Sequence, residues 1–170
     1  NIRIEHIAGD LTDHYDPKAN VIRLSDATFN STSVAAIGVA AHECGHAVQH
    51  QVGYTPIKVR NAIVPIVNIS NRLSMPIFIL GLILSIGPLA MAGALLFGMV
   101  LVFQVVTLPT ETNASRRAMK TLEEMAILEG DELKGARKTL TAAAMTYVAA
   151  VAATALQFLR LVMLANRRRR

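Results

Sequence analysis

Apolar and polar side chains alternate along Ile2-Arg3-Ile4-Glu5-His6-Ile7, the period of a strand with one face buried. A polar stretch containing Asp13-His14-Tyr15-Asp16-Pro17 and Lys18-Ala19-Asn20 intervenes before Val21-Ile22-Arg23-Leu24 resumes as a second short strand. A β-hairpin of these two segments is the economical reading. The pattern then changes. Residues 33–51 hold no proline and many small apolar side chains, Asn30, Ser31, Thr32 and Ser33 offer N-caps, and Gly53 offers a stop. Together these predict a helix over about residues 32–52.

Residues 57–71 read as an amphipathic or irregular stretch, with Lys58, Arg60 and then Arg72 directed toward a membrane surface. Residues 75–106 carry no charge. One very long helix would fit them, but Gly87-Pro88 near the middle, with Gly81, Gly93 and Gly98 elsewhere, argues for a break and a helical hairpin. Two passes of about 20 residues each must then borrow residues from position 68 onward and from Pro109, or be short and tilted. Residues 114–129 return to mixed charge at helical spacing, an amphipathic helix with a solvated face. After a turn at Gly130-Asp131, residues 139–165 are Ala-rich and long enough to span, and Arg167 to Arg170 close them. Gln157 and Arg160 are the polar exceptions, able to snorkel to the interface.

Composition agrees with a bilayer as solvent. The chain is 52% hydrophobic, 17% charged and 5% aromatic, with a mean hydropathy of +0.40, too apolar for an ordinary soluble domain. The net charge of +5 does not point to nucleic acid, because Arg160 and Arg167 to Arg170 flank an apolar segment and fit an anchor on anionic lipid. A lone cysteine, Cys44, makes no intrachain disulfide. It is turned about 100° from its neighbours on the helix and is expected to be a small packing residue.

The chemistry lies in His42-Glu43-Cys44-Gly45-His46. Residues four apart share a helix face, so His42 and His46 can direct ring nitrogens at one metal ion. Glu43 follows the first histidine, where its carboxylate can take the proton of a water that zinc activates. Histidines that merely pack or face water are the bland alternative, but burying His and Glu unpaired on an Ala/Val/Gly face would be costly. His50 continues the series, yet lies about 12 Å from His42 along a straight helix, too far to share an ion, and is expected at the rim. A catalytic zinc commonly has three protein ligands and one open position. A third ligand from beyond the apolar run requires the chain to return to the side it left, which a hairpin does and a single pass does not.

Metzincins take their third ligand six residues after the second histidine, with glycine midway; Val52 and Gln49 stand there. No acidic residue occurs between Glu43 and Glu111, so an aspartate in a membrane helix, as in site-2-type proteases, is unavailable. Glu111 is the first candidate carboxylate. An acid in the first turn of a helix, stabilised by the helix dipole, is the competing explanation.

At Asp13-His14-Tyr15-Asp16-Pro17, Ile22-Arg23-Leu24-Ser25, Ala40-Ala41-His42-Glu43-Cys44-Gly45-His46-Ala47-Val48-Gln49 and the segment 108–118, the sequence resembles the membrane zinc metallopeptidases of the YugP type, also called neutral zinc metallopeptidases. The resemblance implies a bacterial-type membrane protease with a gluzincin-like site: His42 and His46 as zinc ligands and Glu43 as general base. Glu111 looks like the third ligand in the Glu-x-x-Ala-acid motif of HtpX-like relatives, with Ser115 standing where that motif has an acid. Family members typically begin with a further membrane helix, and residues before Asn1 are expected. Beside an HExxH helix a strand edge commonly accepts an extended substrate; residues 21–25 are the expected edge. His14 or Tyr15 could stabilise a developing oxyanion, or residues 13–16 could form a turn that sets strand register.

The expected protein is therefore a mainly α membrane protein. A small β-hairpin and the HExxH helix form a zincin-like catalytic region (1–74), followed by a transmembrane helical hairpin (75–107), a third-ligand region (108–138) and a C-terminal transmembrane helix with a basic tail (139–170). The expected activity is zinc-dependent peptide hydrolysis with polypeptide substrates and the lipid bilayer as partners; a metal-binding scaffold or inactive relative, whose closed site would usually have four protein ligands, is the alternative. Arg60, Arg72, Arg116, Arg117, Lys120, Lys134, Arg137 and Lys138 flank the catalytic segments, which by the positive-inside rule puts the site of this multi-pass cell-membrane protein on the cytoplasmic side. The terminal arginines would then end on the other side.

Overall fold

A computed structural model describes residues 2–167; Arg168, Arg169 and Arg170 of the expected basic tail lie outside the described residues. Three strands, β1 (Arg3–His6), β2 (His14–Asp16) and β3 (Val21–Leu24), precede a short helix α1 (Asp26–Phe29), the motif helix α2 (Val34–Gln51) and three long helices, α3 (Thr55–Ile83), α4 (Gly87–Glu124) and α5 (Gly130–Arg167). The mainly helical class with a small sheet is as expected, but strand pairing differs. The sheet order is β1-β3-β2, and β1 runs parallel to β3, with Arg3 opposite Val21 and His6 opposite Leu24. The hairpin is β2 with β3, Tyr15 facing Ile22. The reason is local. Asp16 Oδ1 accepts from the N–H groups of Lys18 and Ala19 at 2.9 and 3.2 Å and Asn20 has φ +53, making a tight turn between β2 and β3, whereas the longer path from β1 leaves room to cross and return parallel.

This topology overturns the expected substrate edge. β3 is the central strand, paired on both sides and the most buried of the three, so residues 21–25 offer no free edge. Ser25 closes that strand end, its N–H and hydroxyl both donating to the Asp13 carboxylate at 2.9 and 2.8 Å.

The described residues divide into two compact units. The first comprises residues up to Ile57 together with Pro109–Met145. Ser33 caps α2, its hydroxyl accepting from the Ala36 N–H at 3.2 Å, and Gly53 at φ +66 follows the helix end, as capping chemistry predicts. One face of α2 packs on the sheet, Ala47 and Ala40 against Ile22, Leu24 and Tyr15. The other packs on the later helices, Val34, Ile37 and Ala41 against Met119, Leu122, Leu128 and Ala136. Small side chains let the helices approach. A Cβ on Gly45 would stand 2.5 Å from the Ala114 carbonyl oxygen.

The second unit comprises Lys58–Leu108 and the part of α5 from Thr146. The break falls where expected, at residues 84–86, just before Gly87-Pro88. Ser85 has φ +57, its N–H reaches the Leu82 carbonyl at 3.3 Å and that of Ile86 reaches Gly81 at 2.9 Å, a Schellman ending. Three features extend beyond the expectations. Residues 57–71 are regular helix, with Pro65 and Pro76 inside α3. The charged segment after Pro109 continues α4 without starting a new helix, and α5 begins at Gly130, well before its apolar run. α3 and α4 close on each other through Gly93, where a Cβ would lie 2.4 Å from Phe78 N, around Phe78, Ala90, Ala94, Leu161 and Ala165. Ile79, Leu80, Leu95, Val102, Leu156 and Met163 stay exposed, and all three long helices are apolar enough to cross a membrane. Such a surface suits a lipid bilayer.

Candidate metal centre

The i, i+4 spacing on α2 sets the His42 and His46 rings 4.7 Å apart and perpendicular. Glu111 comes from α4, two residues past Pro109 in that helix. Its Oε2 lies 3.3 Å from His42 Nε2 and 3.5 Å from His46 Nε2, and one ligand atom from each of the three residues falls within 4.8 Å of the others. Donors each about 2.0–2.1 Å from one tetrahedral zinc sit about 3.3 Å apart. The two carboxylate–imidazole distances match that spacing, and with all three donor atoms within 4.8 Å of one another two imidazoles and a carboxylate suit zinc once the donors draw in. Among the described residues no further His, Cys or acidic ligand atom joins the cluster.

Outer partners hold both rings. His42 Nδ1 is 3.0 Å from Ser115 Oγ, and His46 Nδ1 is 3.0 Å from Gln49 Oε1. Each ring therefore uses Nδ1 away from the cluster and presents Nε2 to it, the usual division of labour for a ligating histidine. Ser115 takes this place where the related motif carries an acid. The buried Gln49 amide also donates to the Thr110 carbonyl at 2.7 Å and to Asn113 Oδ1 at 3.0 Å, and Asn113 Oδ1 accepts from Arg117 Nε at 2.8 Å.

Glu43 is buried beside the cluster. Burial, the largest influence, raises its carboxyl above the ordinary value, and the charge of Glu111 acts the same way. The two imidazoles and a hydrogen bond from the Tyr15 backbone N–H oppose this. A carboxylate held in this balance is suited to exchanging a proton.

The other residues singled out in the sequence are placed as follows. The His14 Nδ1–H donates to the Thr12 carbonyl at 2.8 Å, while its Nε2 is 3.4 Å from Arg23 Nη1. Tyr15 donates its hydroxyl to Asn20 Oδ1 at 2.9 Å, so it is the Tyr15 backbone that meets Glu43. Asp16 pairs with Arg23 at 2.8 Å. His50 is exposed, its ring 6.0 Å from that of Tyr15, and stays outside the cluster. Cys44, expected to pack, is exposed and lines an apolar groove with Leu24, Phe29, Ile37 and Leu122. Gln49 and Asn113 were not anticipated. The available signal was a polar residue three positions after His46 and another two after Glu111.

A zinc-compatible donor set in a chain with three apolar helices is the outline of a membrane metallopeptidase. Residues 1–166 match the family described as "Putative neutral zinc metallopeptidase", and the chain belongs to that family. It is 40% identical over 164 residues to the "Putative membrane protease YugP" of Bacillus subtilis, covering 96% of this chain and 73% of the relative. No solved structure matches. Membership in a zinc peptidase family makes zinc the metal of this protein.

Proposed function

We propose that this chain is a membrane-embedded zinc endopeptidase in which His42, His46 and Glu111 hold the metal and Glu43 is the general base. The observation that carries the reading is the convergence of three donor atoms within 4.8 Å from two helices, with a second carboxylate, that of the buried Glu43, beside them. Bound zinc supplies Lewis acidity, lowering the pKa of a water and polarising a peptide carbonyl. Glu43 receives the proton of the attacking water on its carboxylate and returns it to the leaving amine. The Tyr15 N–H and the burial of the carboxylate hold Glu43 in position for both transfers. Substrates are polypeptides, and the flanking basic residues favour a site on the cytoplasmic face.

A purely structural metal site is the competing reading. It would ordinarily have four protein ligands, and three candidates favour the hydrolase. The test is zinc content and casein cleavage by detergent-purified protein. Glu43→Gln is expected to keep zinc and lose about 10²–10⁴-fold in cleavage rate, and Glu111→Ala to lose zinc. Undiminished cleavage by Glu43→Gln would remove the general base from the account.

A further inference from the structure

We infer that Gln49 is a positioning residue that selects the tautomer of His46 and locks the Glu111 turn of α4 onto the HExxH helix. The inference rests on the metal-site reading above and adds a residue to it. Gln49 is fully buried, and every polar group of its amide has a partner. Oε1 faces His46 Nδ1 at 3.0 Å, while Nε2 donates to the Thr110 carbonyl at 2.7 Å and to Asn113 Oδ1 at 3.0 Å.

The orientation of the amide follows from these partners. A backbone carbonyl only accepts, so the group 2.7 Å from Thr110 O must be the NH2. Turning the amide over would set two acceptor oxygens against each other in a buried site. Oε1 is thereby committed to His46, and an acceptor there requires hydrogen on Nδ1. His46 Nε2, 3.5 Å from Glu111 Oε2, is left as the nitrogen that faces the cluster and the one a metal would take. The same NH2 grips Thr110, adjacent to Glu111, and Asn113, two residues beyond it. Asn113 is held in turn by Arg117 at 2.8 Å. One side chain of α2 thus ties a histidine of that helix to the segment of α4 that presents the carboxylate. His42 lacks such a device, because its partner Ser115 Oγ at 3.0 Å can either donate or accept.

The experiment is 15N NMR of histidine-labelled protein in detergent, above the titration range of imidazole, without metal and in a Glu111→Ala background that removes the competing acceptor at His46 Nε2, together with zinc affinity of protein that keeps Glu111, measured by chelator competition. With Gln49 present in that background, His46 is expected as the Nδ1–H tautomer. Gln49→Met, which keeps volume but removes the acceptor and both donors, is expected to lose that preference and to bind zinc about 10–100-fold more weakly. A His46 protonated on Nε2 in the Gln49-containing Glu111→Ala background overturns the inference even if the Gln49 variants fail to fold. So does folded Gln49→Met with unchanged tautomer and zinc affinity. Wild type that binds no zinc would instead defeat the metal-site reading, so the two failures are separable.

Discussion

The two compact units solve the burial problem in opposite ways. In the first, polar side chains are interior and partnered: Gln49, Glu43 and Glu111 are buried, and a hydrogen-bond network runs from His46 through Gln49 and Asn113 to Arg117. In the second, apolar groups are exterior. Only 17% of the most apolar window of α4 is buried within the chain. A buried polar network specifies one geometry because each unpaired member is expensive; an apolar surface facing lipid specifies only depth. The geometry of the His42–His46–Glu111 cluster is thus the property of one unit and an apolar surface suited to a membrane that of the other.

Charging the second unit should break it most severely. Leu95 is exposed in the middle of the apolar stretch of α4, and Leu95→Lys is expected to cost about 2.5–3.5 kcal/mol at mid-bilayer, read as a fall in the inserted fraction in a microsomal insertion assay. Insertion at the wild-type level would mean that Leu95 does not face lipid.

In the first unit the sharpest steric test is Gly45. Its added Cβ would meet backbone at 2.5 Å, whereas a Cβ on Gly38 of the same helix would meet Ala136 Cβ at an ordinary 3.6 Å. Gly45→Ala is expected to destabilise by about 1–3 kcal/mol and weaken zinc binding. Gly38→Ala is expected to stabilise slightly through helix propensity. Thermal unfolding in detergent compares them, and equal melting temperatures would contradict the close α2–α4 contact.

A smaller effect is expected at the start of the motif helix. Ser33→Ala removes the cap on the Ala36 N–H and should cost about 1 kcal/mol, restored in large part by Ser33→Asp; a melting point unmoved by Ser33→Ala would contradict the cap.

The smallest concerns pH. The hydrogen bond from Arg23 leads the causes that lower the Asp16 carboxyl from 3.8 to about 2. A folded-state value below the unfolded one means stabilisation that is complete above the ordinary carboxylate range and disappears as pH falls through about 2. Asp16→Asn should flatten the acid limb of wild-type stability between those values. Parallel acid limbs would assign it to other groups.

What was legible in the sequence depended on how local the cause was. The HExxH helix, its Ser33 cap and Gly53 stop, and the break before Gly87-Pro88 each follow from a few adjacent residues. Glu111 was reachable by elimination and by resemblance to a family, because one carboxylate follows a long uncharged stretch. The sheet was not legible: period-two patterning marks strands without saying which are neighbours, and the three residues of β2 are too few to announce themselves. The continuity of α4 and α5 was hidden because charge begins at Glu111 and ends near Lys138, and a change of solvent resembles a change of element. Gln49 was invisible for a different reason. Its partners Thr110 and Asn113 lie on another helix, so its role appears only once α2 and α4 are packed.

The most direct measurement is zinc K-edge X-ray absorption on the zinc-loaded protein, with Glu111→Ala alongside. The account predicts two imidazoles and nitrogen or oxygen donors at about 2.0–2.1 Å, with one donor lost or zinc released in the variant. A sulfur scatterer at about 2.3 Å, which would bring in Cys44, or a third imidazole would contradict the proposed site.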